Sequence, residues 1–172
     1  YAYWSSLDDL SHRYGPSDVR VARETAAFLQ QLSLFLDARR AKGRGDTLFL
    51  MTADHGHIST PPNPDFELRN HPELLDSLVM MPAGEARLPF AFTRAGREER
   101  ALAYIQRAWA GRFRVVPAAD FLASGVLGSR GHHPVTAERL GDFVILPDAE
   151  AYWYFGQKDN PLLGRHGGLS PT

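Results

Sequence analysis

Three short segments of this 172-residue chain carry side chains that can hold a metal ion. In Leu7-Asp8-Asp9-Leu10-Ser11-His12 the carboxylate of Asp8 and the imidazole of His12 stand four residues apart, so one helical turn puts them on the same face. In Asp54-His55-Gly56 an acid and an imidazole are adjacent, and the glycine lets the backbone turn sharply after them. In Gly164-Arg165-His166-Gly167-Gly168 one imidazole is set among small residues that permit close approach. Zinc takes carboxylate oxygen and imidazole nitrogen at about 2.0 to 2.2 Å, so these are suitable donors. Each segment also has a plain reading: a solvated Asp/His pair, a turn aspartate beside a half-buried histidine, and a glycine-rich loop. The weight lies in finding all three at the expected ends of secondary-structure elements.

The elements that must position them can be read from periodicity. Residues 1–7, opening Tyr1-Ala2-Tyr3-Trp4, have the aromatic composition of a strand, and 8–18 read as a polar turn containing Gly15-Pro16. From Val19 to about Lys42, apolar residues at Val21, Phe28, Leu32 and Leu36 recur at helical spacing, with Asp18 as N-cap and Gly43 and Gly45 as the stop. The apolar run Thr47 to Ala53 then reads as a strand buried on both faces. Strand, long helix, strand predicts a βαβ unit, which would gather Asp8 and Asp54 on the rim beyond the strands' carboxyl ends.

Further along, 58–72 reads as a loop, 73–76 as a short helix, and 78–81 and 88–93 as strands. An amphipathic helix over 97–112, a strand at 113–117, a short helix at 118–123 and a loop at 128–134 follow. Strands are then expected at 142–146 and 151–155, and a loop from 157 onward. The fold class expected is α/β, three-layer αβα with a mainly parallel sheet. Residues 1–83 would form the C-terminal part of a core, 84–150 a small inserted α+β lobe, and 151–172 a return to the core. The first residues, without an initiator methionine, and the last, Gly167 to Thr172, read as cut ends of an incomplete domain.

Composition removes several function classes. Nineteen basic and 20 acidic residues nearly cancel, so there is no nucleic-acid or membrane-surface signal in the overall charge. No apolar run reaches the roughly 18 to 20 residues needed to span a bilayer. With no cysteine, thiolate metal sites and disulfides are excluded. Arginine outnumbers lysine 17 to 2, a bias that genome composition explains as readily as phosphate binding does.

Tyr3 to Pro16, then Thr52-Ala53-Asp54-His55-Gly56, then His166-Gly167-Gly168-Leu169-Ser170-Pro171, resemble in order and spacing the type I phosphodiesterase/nucleotide pyrophosphatase branch of the alkaline phosphatase superfamily. The resemblance runs from end to end, although between Pro82 and Gly164 it rests on general layout. It implies an alkaline phosphatase-like fold and two divalent metal ions, with zinc the expected metal. Asp8, His12 and His166 would hold one ion, and Asp54 and His55 would contribute to the other. It implies hydrolysis of phosphate diesters or nucleotide pyrophosphate bonds through a phosphoenzyme, with a nucleotide-like small molecule as substrate. The family's threonine nucleophile and a further aspartate ligand would lie upstream, in a missing N-terminal part of the same polypeptide, leaving this chain inactive alone. Competing readings are a non-catalytic metal- or ligand-binding module, or a phosphomonoesterase, sulfatase or phosphonate hydrolase relative. His57, His71, His132 and His133 read first as ordinary surface or loop histidines, with a place behind a metal ligand or on the substrate the alternative for His57 and a separate site the alternative for the other three, and Arg165 reads as either a phosphate contact or a solvated arginine.

Overall fold

The computed structural model describes residues 1–43, 47–128, 131–156 and 158–169. Gly45, part of the expected helix stop, and Ser170-Pro171, the end of the third motif, lie outside them. The chain divides into two compact units: Tyr1–Pro61 with Pro161–Arg165, and Pro62–Asn160 with His166–Thr172.

The first unit begins with a helix, α1 (Ser6–Tyr14), where a strand leading into a turn is expected. Acidic Asp8 and Asp9 lie in its first turn and His12 and Arg13 in its last, the arrangement that the helix dipole favours. Arg13 Nε donates to Asp9 Oδ1 at 2.9 Å one turn away. The helix stops at Gly15, whose φ of +84° lets its N–H return to the carbonyl of Ser11, and Pro16 follows. These local charge and stop signals override the β-prone aromatic run before them.

Helix α2 (Val19–Ala41) forms as expected, with the Asp18 side chain accepting from the N–H of Arg20 at 2.8 Å. Val21, Phe28, Leu32 and Leu36 are its half-buried stripe, while Val19, Leu29, Leu34 and Phe35 are exposed. Trp4 packs edge-on to Phe28 at 5.3 Å and donates to Glu24, tying the start of the chain to this helix.

Residues 47–53 form no strand, contrary to expectation, and Leu48 and Leu50 are 81% and 82% exposed. A strand buried on both faces needs hydrogen-bonding neighbours and covering layers. None is supplied among the described residues. Among the described residues, the only sheet in this unit is the antiparallel pair β1 (Ile58–Ser59) and β6 (Gly164–Arg165), with Ser59 opposite Gly164. The buried residues described here are Ser11, Gly15, Thr60, Gly164 and Arg165, and no apolar side chain is among them.

The second unit holds the apolar core. Its sheet has the order β2-β3-β5-β4, formed by β2 (Ala83–Glu85), β3 (Leu88–Ala91), β4 (Phe113–Pro117) and β5 (Phe143–Pro147), every pair antiparallel. Helix α4 (Glu98–Ala108) connects β3 to β4, but β5 inserts between those two strands, so this strand-helix-strand succession is a split one. Ala101 and Ile105 are the buried positions of α4, against a cluster that includes Phe66, Leu74, Tyr152 and Trp153. Helix α3 (Pro72–Ser77) packs beside α4 and is joined to it by Arg107–Glu73 at 2.9 Å and Arg100–Asp76 at 3.2 Å.

Helix α5 (Ala118–Ala123) has the expected bounds, whereas α6 (Val135–Leu140) lies where no helix is expected. Residues 78–81 and 151–155 are not strands; each reaches only an isolated bridge, Leu78 with Thr93 and Tyr154 with Glu67. The described chain is therefore mixed α/β with two antiparallel sheets, and a mainly parallel sheet is not formed within it.

Candidate metal centre

The centre is built on three pieces of the first unit. Helix α1 presents Asp8 and His12 one turn apart, so both side chains leave the same face. The segment 54–57, which belongs to no helix or strand, carries Asp54, His55 and His57, and β1 begins immediately after it. Strand β6 joins the two. It pairs with β1 along one edge, while the N–H of Leu163 donates to the carbonyl of His12 at 2.8 Å, and the carbonyl of Gly164 accepts from His12 Nδ1 at 2.9 Å.

That approach requires glycine. A β-carbon on Gly164 would lie 2.3 Å from the Ser11 carbonyl oxygen. Beneath the strand, the Arg165 guanidinium is buried and donates through Nη1 to the hydroxyl and carbonyl of Thr60 at 2.7 and 3.0 Å and to the carbonyl of Leu162. Arg165 is thus neither solvated nor turned to a substrate through this nitrogen: it locks β6 to the end of β1.

A carbonyl only accepts, so the contact with Gly164 fixes the hydrogen of His12 on Nδ1 and leaves Nε2 to offer a lone pair toward Asp8. Metal-ligating histidines are commonly oriented by this kind of outer hydrogen bond. Asp8 Oδ1 lies 3.5 Å from His12 Nε2, 3.4 Å from His57 Nε2 and 3.9 Å from His55 Nε2. The oxygen is buried and makes no hydrogen bond. A buried, unbonded carboxylate oxygen is costly unless a cation or donor completes it. Tetrahedral coordination with bonds of about 2.0 to 2.1 Å sets donor atoms roughly 3.3 to 3.4 Å apart. Asp8 and His12 are spaced to fit an ion of that kind.

The other sequence-derived candidates are placed as follows. His55 is at the edge of the cluster, its side chain 30% exposed, while Asp54 is outward, with Oδ1 accepting from the N–H of His55 at 3.1 Å and Oδ2 3.6 Å from His55 Nε2. His166 follows Arg165 directly and opens the closing segment of the second unit, half-buried.

His57 is not an ordinary surface histidine. Its side chain is 8% exposed, and its ring meets those of His12 and His55 edge-on, at 4.6 and 5.3 Å. The signal for it is present in the sequence: in an extended backbone, residues two apart such as His55 and His57 face the same side. His71 is also engaged, with Nδ1 2.8 Å from the Tyr104 hydroxyl and Nε2 2.8 Å from the Asp65 carbonyl, as a packing element of the second unit.

The family model for type I phosphodiesterase / nucleotide pyrophosphatase matches residues 1–169. The chain belongs to that family. Among solved structures it is similar to murine ectonucleotide pyrophosphatase / phosphodiesterase 5, with 20% identity and a TM-score of 0.66 over 96% of this chain. An inactive form of the murine protein in complex with AMP superposes with a TM-score of 0.67 at 19% identity over 98% of the chain. The human counterpart gives 0.67 at 17% identity over 96% of the chain. At these identities the likeness is one of fold. In each case the chain spans 42% of the length of the protein it matches. No curated protein sequence matches it.

Proposed function

We propose that this chain is part of a two-metal hydrolase of phosphate diesters or nucleotide pyrophosphate bonds and supplies most of its metal ligands. Asp8, His12 and His166 hold the first ion, with zinc the expected metal, and Asp54 and His55 contribute to the second. The observation that carries this reading is the buried Asp8 Oδ1, unbonded and 3.5 Å from an imidazole nitrogen whose tautomer a backbone carbonyl has already set. His166 is joined to this group by its peptide link to β6, which also carries the His12 acceptor. Family membership and a structural relative described in complex with AMP support a nucleotide-like substrate.

When bound, a metal pair polarises the phosphoryl group and stabilises charge on the attacking and leaving oxygens. The chain's own residues supply orientation and charge. Asp8 brings a carboxylate whose Oδ1 is buried, His12 arrives with its ring already fixed by Gly164, and the solvent-exposed Asp54 leaves one side of the group open. The nucleophile and a further aspartate ligand belong to the remainder of the catalytic domain. The exposed apolar residues of α2 and of 47–53 support a covering partner, which we take to be that remainder, with 47–53 as a strand of a mainly parallel, alkaline phosphatase-like sheet. Residues 84–150 are then an inserted lobe on the core.

The test is hydrolysis of a chromogenic phosphodiester in the presence of zinc. A polypeptide extended through the whole catalytic domain turns it over and loses at least about a thousandfold on Asp8→Ala, the scale expected when a metal ligand is removed from charge stabilisation. The present chain alone gives none. Metal-dependent turnover by this chain alone would show that it contains its own nucleophile. An extended enzyme indifferent to Asp8→Ala would remove the metal assignment.

A further inference from the structure

The cluster contains one imidazole more than the proposed ligand set uses, and that imidazole is the most enclosed of its three histidines from the first unit. Side-chain exposure is 8% for His57, against 23% for His12 and 30% for His55. Its Nε2 is buried and faces the buried oxygen of Asp8 at 3.4 Å. Its ring also touches one member of each proposed metal half, His12 and His55.

We propose that His57 is a positioning residue of the metal centre: its Nε2–H holds Asp8 Oδ1, and its ring spaces His12 from His55. This rests on the reading of Asp8, His12 and His166 as ligands of the first ion. Were His57 a fourth ligand, that ion would have four protein donors, the closed coordination of structural zinc sites. A catalytic site keeps three and leaves a position for water or substrate. As a hydrogen-bond donor, His57 instead leaves that position open.

The 3.4 Å spacing suits a ligand pair as well as this role, and it is the need for an open position that separates the two. A movement of Asp8 by about half an ångström brings 3.4 Å to an ordinary N–H···O length. Such partners of metal-ligating carboxylates fix ligand direction, and their loss typically costs about 10- to 100-fold in metal affinity. His57 follows His55 by two residues and precedes β1, which pairs with β6, so its ring is anchored by the same ladder that orients His12.

The experiment is titration of the chain with cobalt(II), read by visible absorption, for the wild type, His57→Ala, His57→Gln and His12→Ala. The wild type binds cobalt and His12→Ala does not, which tests the ligand reading itself. His57→Ala binds about 10- to 100-fold more weakly, yet at saturation its band position and intensity match the wild type, because no donor atom has been lost. His57→Gln, whose amide N–H can reach the same oxygen, recovers at least half of the lost binding free energy, a recovery that simple loss of packing would not give. Equal affinity in wild type and His57→Ala overturns the inference. So does a changed spectrum with no recovery in His57→Gln, which would make His57 a ligand. A wild type that binds no cobalt removes the ligand reading and the inference with it.

Discussion

Replacing Gly164 by alanine places a methyl carbon 2.3 Å from the Ser11 carbonyl oxygen and 3.2 Å from Pro16 Cδ. Carbon and oxygen approach comfortably only to about 3.3 Å, so β6 and α1 must part by roughly 1 Å. Two hydrogen bonds cross that gap, Leu163 N–H to the His12 carbonyl at 2.8 Å and His12 Nδ1 to the Gly164 carbonyl at 2.9 Å, and both would be stretched out of range. Overpacking typically costs about 1 to 3 kcal/mol and each lost bond about 1 kcal/mol. The opening free energy of this junction should therefore fall by about 3 to 5 kcal/mol, with amide exchange at Leu163 about 150- to 5,000-fold faster. Zinc affinity should fall about 10- to 100-fold in the same variant, because His12 loses the contact that orients it. Gly56→Ala is the control, since nothing lies within 4 Å of its added carbon. Unchanged exchange at Leu163 together with unchanged zinc affinity in Gly164→Ala would refute the claim that β6 positions His12.

Further outcomes follow from the same contacts. Arg165→Met removes the donor to both oxygens of the buried Thr60 and should destabilise the β1/β6 pair by about 2 to 4 kcal/mol, measured by amide exchange of Thr60. Trp153→Ala empties a fully buried site in the core of the second unit and should cost about 3 to 5 kcal/mol in urea unfolding. Leu50→Asp, at a position 82% exposed, should alter the stability of this chain by less than about 0.5 kcal/mol. In an extended polypeptide where 47–53 is a buried strand, the same change should cost several times more. An equal, small effect in both would argue against that strand.

The juxtaposition of Asp8 and His12 was legible because spacing and local geometry coincide. Asp8 and His12 share a face because four residues make one helical turn, and that face survives although the sequence suggests a strand and turn there instead of α1. Helix α2 and its Asp18 cap were readable because capping and a 3.6-residue stripe are local signals. The parallel sheet was not recoverable. The expected strand 47–53 finds no pairing partner among the described residues, and a hydrophobic run records the need for burial without supplying the partner. The insertion of β5 between β3 and β4 was equally hidden, since strand order is a tertiary choice. His57 reads first as a loop histidine because its spacing from His55 shows only that the two can share a side, and nothing near it in sequence announces Asp8, 49 positions upstream, as its neighbour. The role of Arg165 was hidden for the same reason: its acceptor Thr60 is 105 residues away.

The central claim is that Asp8 and His12 are ligands of a metal site. Zinc content of the chain, purified in zinc-containing, chelator-free buffer, tests it most directly when wild type and His12→Ala are compared by elemental analysis and by calorimetric titration. About one tightly held zinc per chain, lost in His12→Ala with the fold intact by circular dichroism, is the predicted result. Zinc bound equally by both proteins, or by neither, would contradict it.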